Sequence, residues 1–468
     1  MKKFRWLSVT LAVICIGFSA FTLVSCDSDN TSGEKLTFVS DGGSGYILSK
    51  YEGSAASVTI PDVHKGAPIT AIGASAFIDN RDITCVNIPN SVTKIGAKAF
   101  SGCSNLKELT IGYNIKSIEA EAFKKCTSLN FNIPASVTSI GAHAFYDCAS
   151  MQSITIPNNI ESLGEYAFSG CASVKTVTVP DSVTSLPNGI FAGCHNLSYV
   201  IFPEKLFGIG ERAFYACHSL TDVTLPDSVY NIGTMAFASC SNLKNINIPK
   251  KVSVIENSLF ANCPKLAALT LHDGITKIGS EAFSSCTALS SIQIPESVTS
   301  IGADAFWGCT ALTSVSVPGV ESLEGTFKDC VNLRSVTLGE GLGRIGQYAF
   351  SGCIELSEIN IPSTIKSVGF EAFKDCVKVT ALHFSEGLGE ISACAFMNCT
   401  SLNTVSLPVS LVNIWDSAFA NCSALSVINY NGTKAQWKAM HKDGGDPLIA
   451  EVRPWDYKTG NYTVNYNE

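Results

Sequence analysis

The sequence predicts a repeat solenoid, a right-handed β/α superhelix of about sixteen coils in which short parallel strands stack from one coil to the next. Three observations predict it. A phenylalanine recurs at Phe77, Phe100, Phe123, Phe145, Phe168, Phe191, Phe214, Phe237, Phe260, Phe283, Phe306, Phe327, Phe350, Phe373, Phe396 and Phe419, with steps of 23 residues apart from one of 22 and one of 21. From Phe100 onward a cysteine follows each of them by three residues, Cys103 through Cys422, while the first unit carries Asn80 there. Ahead of each phenylalanine lies a run that alternates apolar and polar residues, as a half-buried strand does. A fixed period of this length marks a stacked-repeat architecture.

One unit, residues 289–309, justifies the elements in turn. Leu289-Ser-Ser-Ile-Gln-Ile294 reads as a strand with a buried face. Pro295 ends it, because proline has no N–H to give to a ladder. Val298-Thr-Ser-Ile301 is a second short extended piece, and Gly302 is expected to permit a turn. Ala305-Phe-x-x-Cys309 then makes a tight or short helical turn leading to the next leucine. Some 23 residues cannot bury their own apolar face, but stacked units cover one another, so that like residues form columns. At a strand spacing of about 4.8 Å, sixteen coils would extend roughly 75 Å.

The ends depart from the pattern. Lys2, Lys3 and Arg5 precede an uncharged, mostly apolar stretch, Trp6 to Val24, which reads as a secretory signal over residues 1–25, a single membrane span being the alternative. Leu23-Val24-Ser25-Cys26 resembles the lipobox of bacterial lipoproteins, which implies lipidation of Cys26 and a membrane contact through that anchor alone. The polar, acidic residues that follow make 26–35 a flexible tether, and an acidic start of this kind resembles the signal that sends some lipoproteins to the outer surface of the outer membrane. Residues 36–72 are expected to form an N-terminal cap, 73–425 the solenoid and 426–468 a C-terminal cap.

The unit N-L-x-x-I-x-I-P-x-S-V-T-x-I-G-x-x-A-F-x-x-C resembles the BspA-like leucine-rich repeats of bacterial surface proteins, over about residues 60–430. The stretch Asn431-Gly-Thr-x-x-x-Trp437 resembles the end of such proteins. The resemblance implies a leucine-rich-repeat fold and an adhesin that binds host matrix or plasma proteins, or neighbouring cells.

Composition narrows the function. The chain has 468 residues, 46% of them hydrophobic and 15% charged, which is too apolar for disorder. The formal charge is −8 for the whole chain and −11 without the three cations of the first 25 residues, which argues against nucleic acid as a partner. The repeated cysteine is best read as a small buried apolar residue carrying a free thiol. Stacked cysteines would have parallel Cβ vectors, which a disulfide cannot use. Cys85 and Cys394 lie off the column, Cys85 at an outward strand position and Cys394 in a turn, both expected as partly buried small residues. The spacing carries no metal-ligand signature, and no HExxH, G-x-S-x-G or phosphate-binding loop is present. His195 and His218 each follow a column cysteine, but a thiol buried in apolar surroundings is a poor nucleophile. No catalytic residue, metal ligand or cofactor is expected.

Binding is expected on the exposed sheet. The last x of Leu-x-x-Ile-x-Ile should point outward, giving Thr155, Thr178, Ile201, Thr224, Asn247, Thr270, Gln293, Ser316, Thr337, Asn360 and His383, none of them charged under neutral histidine. Hydroxyl and amide side chains also suit a ladder for packing reasons alone. Tyr199, Ile201 and Phe202 interrupt this strip with apolar bulk, and exposed apolar patches mark contact sites. The leading expectation is a surface protein that binds a protein ligand through this face. A self-associating envelope protein and a glycan-capture lipoprotein are the alternatives.

Overall fold

The computed structural model describes residues 35–440, 456, 459 and 461–467. Cys26, the apolar N-terminal stretch and most of the tether lie outside the described residues. The chain is a parallel-strand β-solenoid of about seventeen turns, with almost no helix.

Each coil pairs with its neighbours on three sides. In the unit read above, the first strand Ser291–Gln293 pairs in parallel with Ala268–Thr270 of the preceding coil. Pro295 opens a corner that closes when Val298 N–H donates to the Pro295 carbonyl at 3.0 Å. The second strand, Ser300–Ile301, pairs with Lys277–Ile278. The third side is a run of turns whose N–H groups reach the next coil: Glu281 to Ala303 O at 2.9 Å, Phe283 to Ala305 O at 2.8 Å and Ser285 to Trp307 O at 2.7 Å. Parallel strands buried on one side need a long return path, and the coil itself supplies it.

The third side is turn throughout, where a short helix was one of two expectations. The reason lies two residues either side of each phenylalanine. Asp304 and Gly308 flank Phe306 with φ of 56° and 69°, and the same two positions are left-handed in coil after coil, as at Glu281 (56°) and Ser285 (58°) around Phe283. Two left-handed residues four apart break any α-helical run. Gly302 also differs from its expected role. Its φ is not left-handed; a Cβ there would lie 2.3 Å from the Ser280 N of the coil below. Glycine is needed for close coil-to-coil contact, not for turning.

The recurrent phenylalanines form one column, with ring centroids from 4.7 Å (Phe77–Phe100) to 6.2 Å (Phe237–Phe260) apart. Such offset stacks are a favoured aromatic geometry. The cysteines do more than fill space. Each column thiol donates to the carbonyl of the phenylalanine one coil back, as Cys286 Sγ does to Phe260 O at 3.2 Å. Phe283 O, which accepts the Cys309 thiol at 3.2 Å, also accepts the Cys286 N–H of its own coil at 3.1 Å, so both of its lone pairs have a use. In the first coil no phenylalanine lies beneath, and Asn80 takes the thiol's place, donating Nδ2 to Gly53 O at 3.0 Å. At the far end Thr459 Oγ1 donates to Phe419 O at 2.7 Å, where the next cysteine would have reached.

The single 22-residue step has a local consequence. Residues 131–134 form no strand, so the first-strand ladder breaks between Glu108–Ile111 and Ser153–Thr155. Phe131 turns inward there and packs at 6.0 Å from Phe123 and 6.1 Å from Phe145. Tyr51 closes the phenylalanine column at its start, 5.1 Å from Phe77. The strand Val427–Tyr430, a helix at Lys434–Ala439 capped by Thr433, and the strand Thr463–Tyr466 close the other end. Cys85 corrects the expectation of an outward position. It is buried at the head of the strand Cys85–Ile88.

Candidate binding face

The first strands of successive coils make one long face, and parallel register fixes what it displays. Thr155 is opposite Thr178, and Thr178 opposite Ile201; Thr270 is opposite Gln293; Ser316, Thr337 and Asn360 line up; His383 is followed by Ser406 and Asn429. Thr155, Thr178, Tyr199, Ile201, Thr224, Asn247, Thr270, Gln293, Ser316, Thr337, Asn360 and His383 are all exposed. Alternation along each strand puts them outward, while Ile154, Val177, Leu269, Ile292, Val315 and Val336 point into the core. Several are tied to the next rung. His383 Nδ1 lies 2.9 Å from Ser406 Oγ, and Asn360 Oδ1 accepts the Leu338 N–H at 2.8 Å.

Two adjoining hollows are set in this face. One, of 570 Å³, is lined by residues that include Asp222, Thr224, Asn247, Lys250, Thr270 and His272. The other, of 870 Å³, is lined by residues that include Thr270, Asp273, Gln293, Glu296, Ser316 and Thr337. They share Ala268, Leu269 and Thr270, so they run on from one another over consecutive coils. Small side chains create them: Ala268, Ser291, Ser314 and Ser335 occupy the outward positions one step back along each strand.

The apolar interruption is smaller than expected. Tyr199 and Ile201 stand out from the face, 59% and 48% exposed. Phe202 does not belong with them. The strand's alternation turns its ring inward, where it packs edge-on to Phe214 at 5.8 Å.

One column escaped the sequence reading, although the motif contains it. The residue after the corner proline, or after the residue in its place, is repeatedly acidic: Asp181, Glu204, Asp227, Asp273, Glu296, Glu340 and Glu386, with Lys250 as the one cation. All seven carboxylates are exposed, and none forms an ion pair among the described residues. They form one edge of the hollowed face. The signal was the recurring Pro-Asp or Pro-Glu pair.

The histidine–cysteine neighbours make no reactive pair. His195 and His218 stack at 4.8 Å, and their Nδ1 atoms face the Ala216 and Ser239 carbonyls at 3.0 Å. Burial pushes the adjacent Cys194 thiol up to about 12, far from a thiolate at neutral pH. Among the described residues no group of three or more His, Cys, Asp or Glu side chains could hold a metal ion, and no helix is long and apolar enough to cross a membrane.

Stacked coils, an inward leucine and isoleucine core and a long outward strand face define a leucine-rich-repeat solenoid. Residues 70–198, 128–229, 207–324 and 321–439 match the BspA type leucine rich repeat region (6 copies), and the chain belongs to this family. Among solved structures, a leucine-rich repeat protein from Bacteroides ovatus ATCC 8483 is 25% identical, over 94% of this chain and 99% of that one, with a TM-score of 0.57. A leucine rich cell surface protein from Faecalibacterium prausnitzii A2-165 is 26% identical over 90% and 100% of the two chains, with a TM-score of 0.44. The T. pallidum leucine rich repeat protein is 31% identical over 40% and 87%, with a TM-score of 0.38. No curated protein matches the chain.

Proposed function

We propose that this chain is a non-enzymatic binding protein of the bacterial cell surface, held to the outer membrane by a lipid on Cys26, and that it binds a protein ligand along the hollowed strand face. One observation carries this reading: the hollows of 570 and 870 Å³ open on consecutive coils and are lined by the exposed Thr224, Asn247, Thr270, Gln293, Ser316 and Thr337. A solenoid of this kind offers its partners an extended surface, not a closed pocket. Surface display is supported by family membership and by the lipobox-like Leu23-Val24-Ser25-Cys26.

The test is a binding screen of the full chain against matrix proteins, plasma proteins, polysaccharides and the chain itself. It is run beside a Thr270→Trp/Ser316→Trp variant that fills the hollows. Saturable binding of a protein, lost in the filled variant, is the expected result. Binding that the filled variant retains would move the site off this face. Concentration-dependent self-association alone would favour an envelope scaffold, polysaccharide binding alone a glycan-capture role, and turnover of any substrate would overturn the assignment. Labelling with radioactive palmitate, lost on Cys26→Ala, tests the anchor.

A further inference from the structure

We propose that the partner segment accepted by this face is an extended, lysine- or arginine-rich stretch of polypeptide, held along the acidic edge that follows the first strands. The inference rests on the binding face proposed above and names what that face selects. Asp181, Glu204 and Asp227 stand on three consecutive coils, and Asp273 and Glu296 on two more after Lys250. Asp273 and Glu296 also line the larger hollow, beside Thr270, Gln293 and Ser316, and Asp222 lines the smaller one. The carboxylates are therefore continuous with an open cavity instead of scattered over the surface.

Charge is unequal across the width of the face. The opposite edge, two residues before each first-strand isoleucine or its equivalent, carries Lys175, Lys244 and Arg334 and is neutral at Ala267, Ser290 and Thr313, on the three coils between Lys244 and Arg334 that line the larger hollow. Some acids elsewhere on the coils are answered locally, as Glu119 is by Lys94, Glu121 by Lys124, Glu355 by Lys378 and Glu371 by Lys374. The edge column has no such partners among the described residues. A row of like charges one coil apart repels itself, and a cationic ligand relieves that repulsion.

Spacing fits an extended chain. Where the column is unbroken, carboxylates recur at about 4.8 Å, and a polypeptide extended as polyproline II advances about 3.1 Å per residue with three residues per turn. A cation at every third residue therefore lies on one side of such a segment, about 9 Å from the next, and meets every second coil. The small Ala268, Ser291, Ser314 and Ser335 leave room for the main chain of such a segment, and the threonine, asparagine and glutamine side chains beside them can hydrogen-bond its amides.

The test uses the full chain and a synthetic sixteen-residue peptide of serine, threonine and glycine with lysine at every third position, followed by fluorescence anisotropy at low and high salt. A second peptide carries glutamate at those positions. The edge is neutralised in Asp227→Asn/Asp273→Asn/Glu296→Gln. A control, Glu161→Gln/Glu165→Gln/Glu321→Gln, removes the same charge from exposed acids elsewhere on the coils. Three surface charge pairs account for about a tenfold loss of affinity in the edge variant, while the control should stay within about twofold. Salt should weaken the lysine peptide, and the glutamate peptide should not bind. Equal losses in both variants, an unchanged edge variant, or no preference for lysine would overturn the inference. If Thr270→Trp/Ser316→Trp abolishes binding while the edge variant does not, the face binds its partner but the edge does not select it. If neither matters, the binding face itself is wrong.

Discussion

Raising the pH should unfold this chain through its thiol column. Fifteen buried cysteines, Cys103 to Cys422, each place an un-ionised S–H against a phenylalanine carbonyl. Burial pushes Cys103, Cys194 and Cys263 up to about 12 from an ordinary value of 9.0, and drives most of the others strongly upward. The folded chain holds these protons more tightly than the unfolded chain. The stability they contribute is thus complete below pH 9 and falls as the pH rises toward the folded values. At pH 9.5 an unfolded thiol of pKa 9 gains about 0.8 kcal/mol by ionising, and the result hardly depends on how high the folded value is. Over the fourteen column thiols that burial raises, Cys103 to Cys399, that is roughly 12 kcal/mol, comparable with the whole stability of an ordinary domain. Lysine and tyrosine also begin to titrate there, so the assay needs an internal comparison. Urea unfolding followed by circular dichroism, with a reductant present, is measured at pH 7.5 and 9.5 for the parent and for Cys240→Ala/Cys263→Ala/Cys286→Ala/Cys309→Ala. The variant starts less stable, but its loss between the two pH values should be smaller by about 3 kcal/mol. Equal losses would show that the column thiols are not the alkali-sensitive groups.

Other substitutions test separate parts of the coil. Phe283→Ala removes a fully buried ring with neighbours at 5.6 and 5.2 Å, and should cost about 3–5 kcal/mol in urea unfolding. Cys286→Ala loses the bond to Phe260 O as well as volume, and should cost about 2 kcal/mol in the same assay. Gly302→Ala forces a Cβ to within 2.3 Å of Ser280 N and should cost more than about 2 kcal/mol, whereas a turning role alone would leave it near neutral. Glu281, held at a φ of 56°, should tolerate glycine but lose about 1–2 kcal/mol as valine, read from thermal midpoints.

Most of the fold was legible because periodicity in the sequence is periodicity in space. Phe77 to Phe419 stack in one column because each stands at the same point of its coil, and the outward row from Thr155 to His383 followed from strand alternation alone. What was missed came from contacts between coils, which no single unit contains. Gly302 looked like a turn residue because the backbone of Ser280 beneath it is invisible along the chain. The left-handed positions flanking each phenylalanine were available as a pattern, since from Ser75 to Asn421 none carries a β-branched residue, and that excluded the helical turn. Phe202 was grouped with Tyr199 and Ile201 by adjacency when its parity placed it inside. Cys85 stands on the outward row, opposite Ser57, yet is buried, which strand alternation alone does not show. The acidic edge lies at the corners between strands, where no alternation of burial marks it along the chain.

The central claim is that each coil gains its core only by covering the next. The most direct test removes one whole coil, residues 279–301, so that Ile278 joins Gly302 and both ladders stay in register. A crystal structure of that deletion should show an intact solenoid one turn shorter, with the Phe260 ring stacked directly on Phe306. A chain that unfolds, or that rebuilds with those rings apart, would contradict the account.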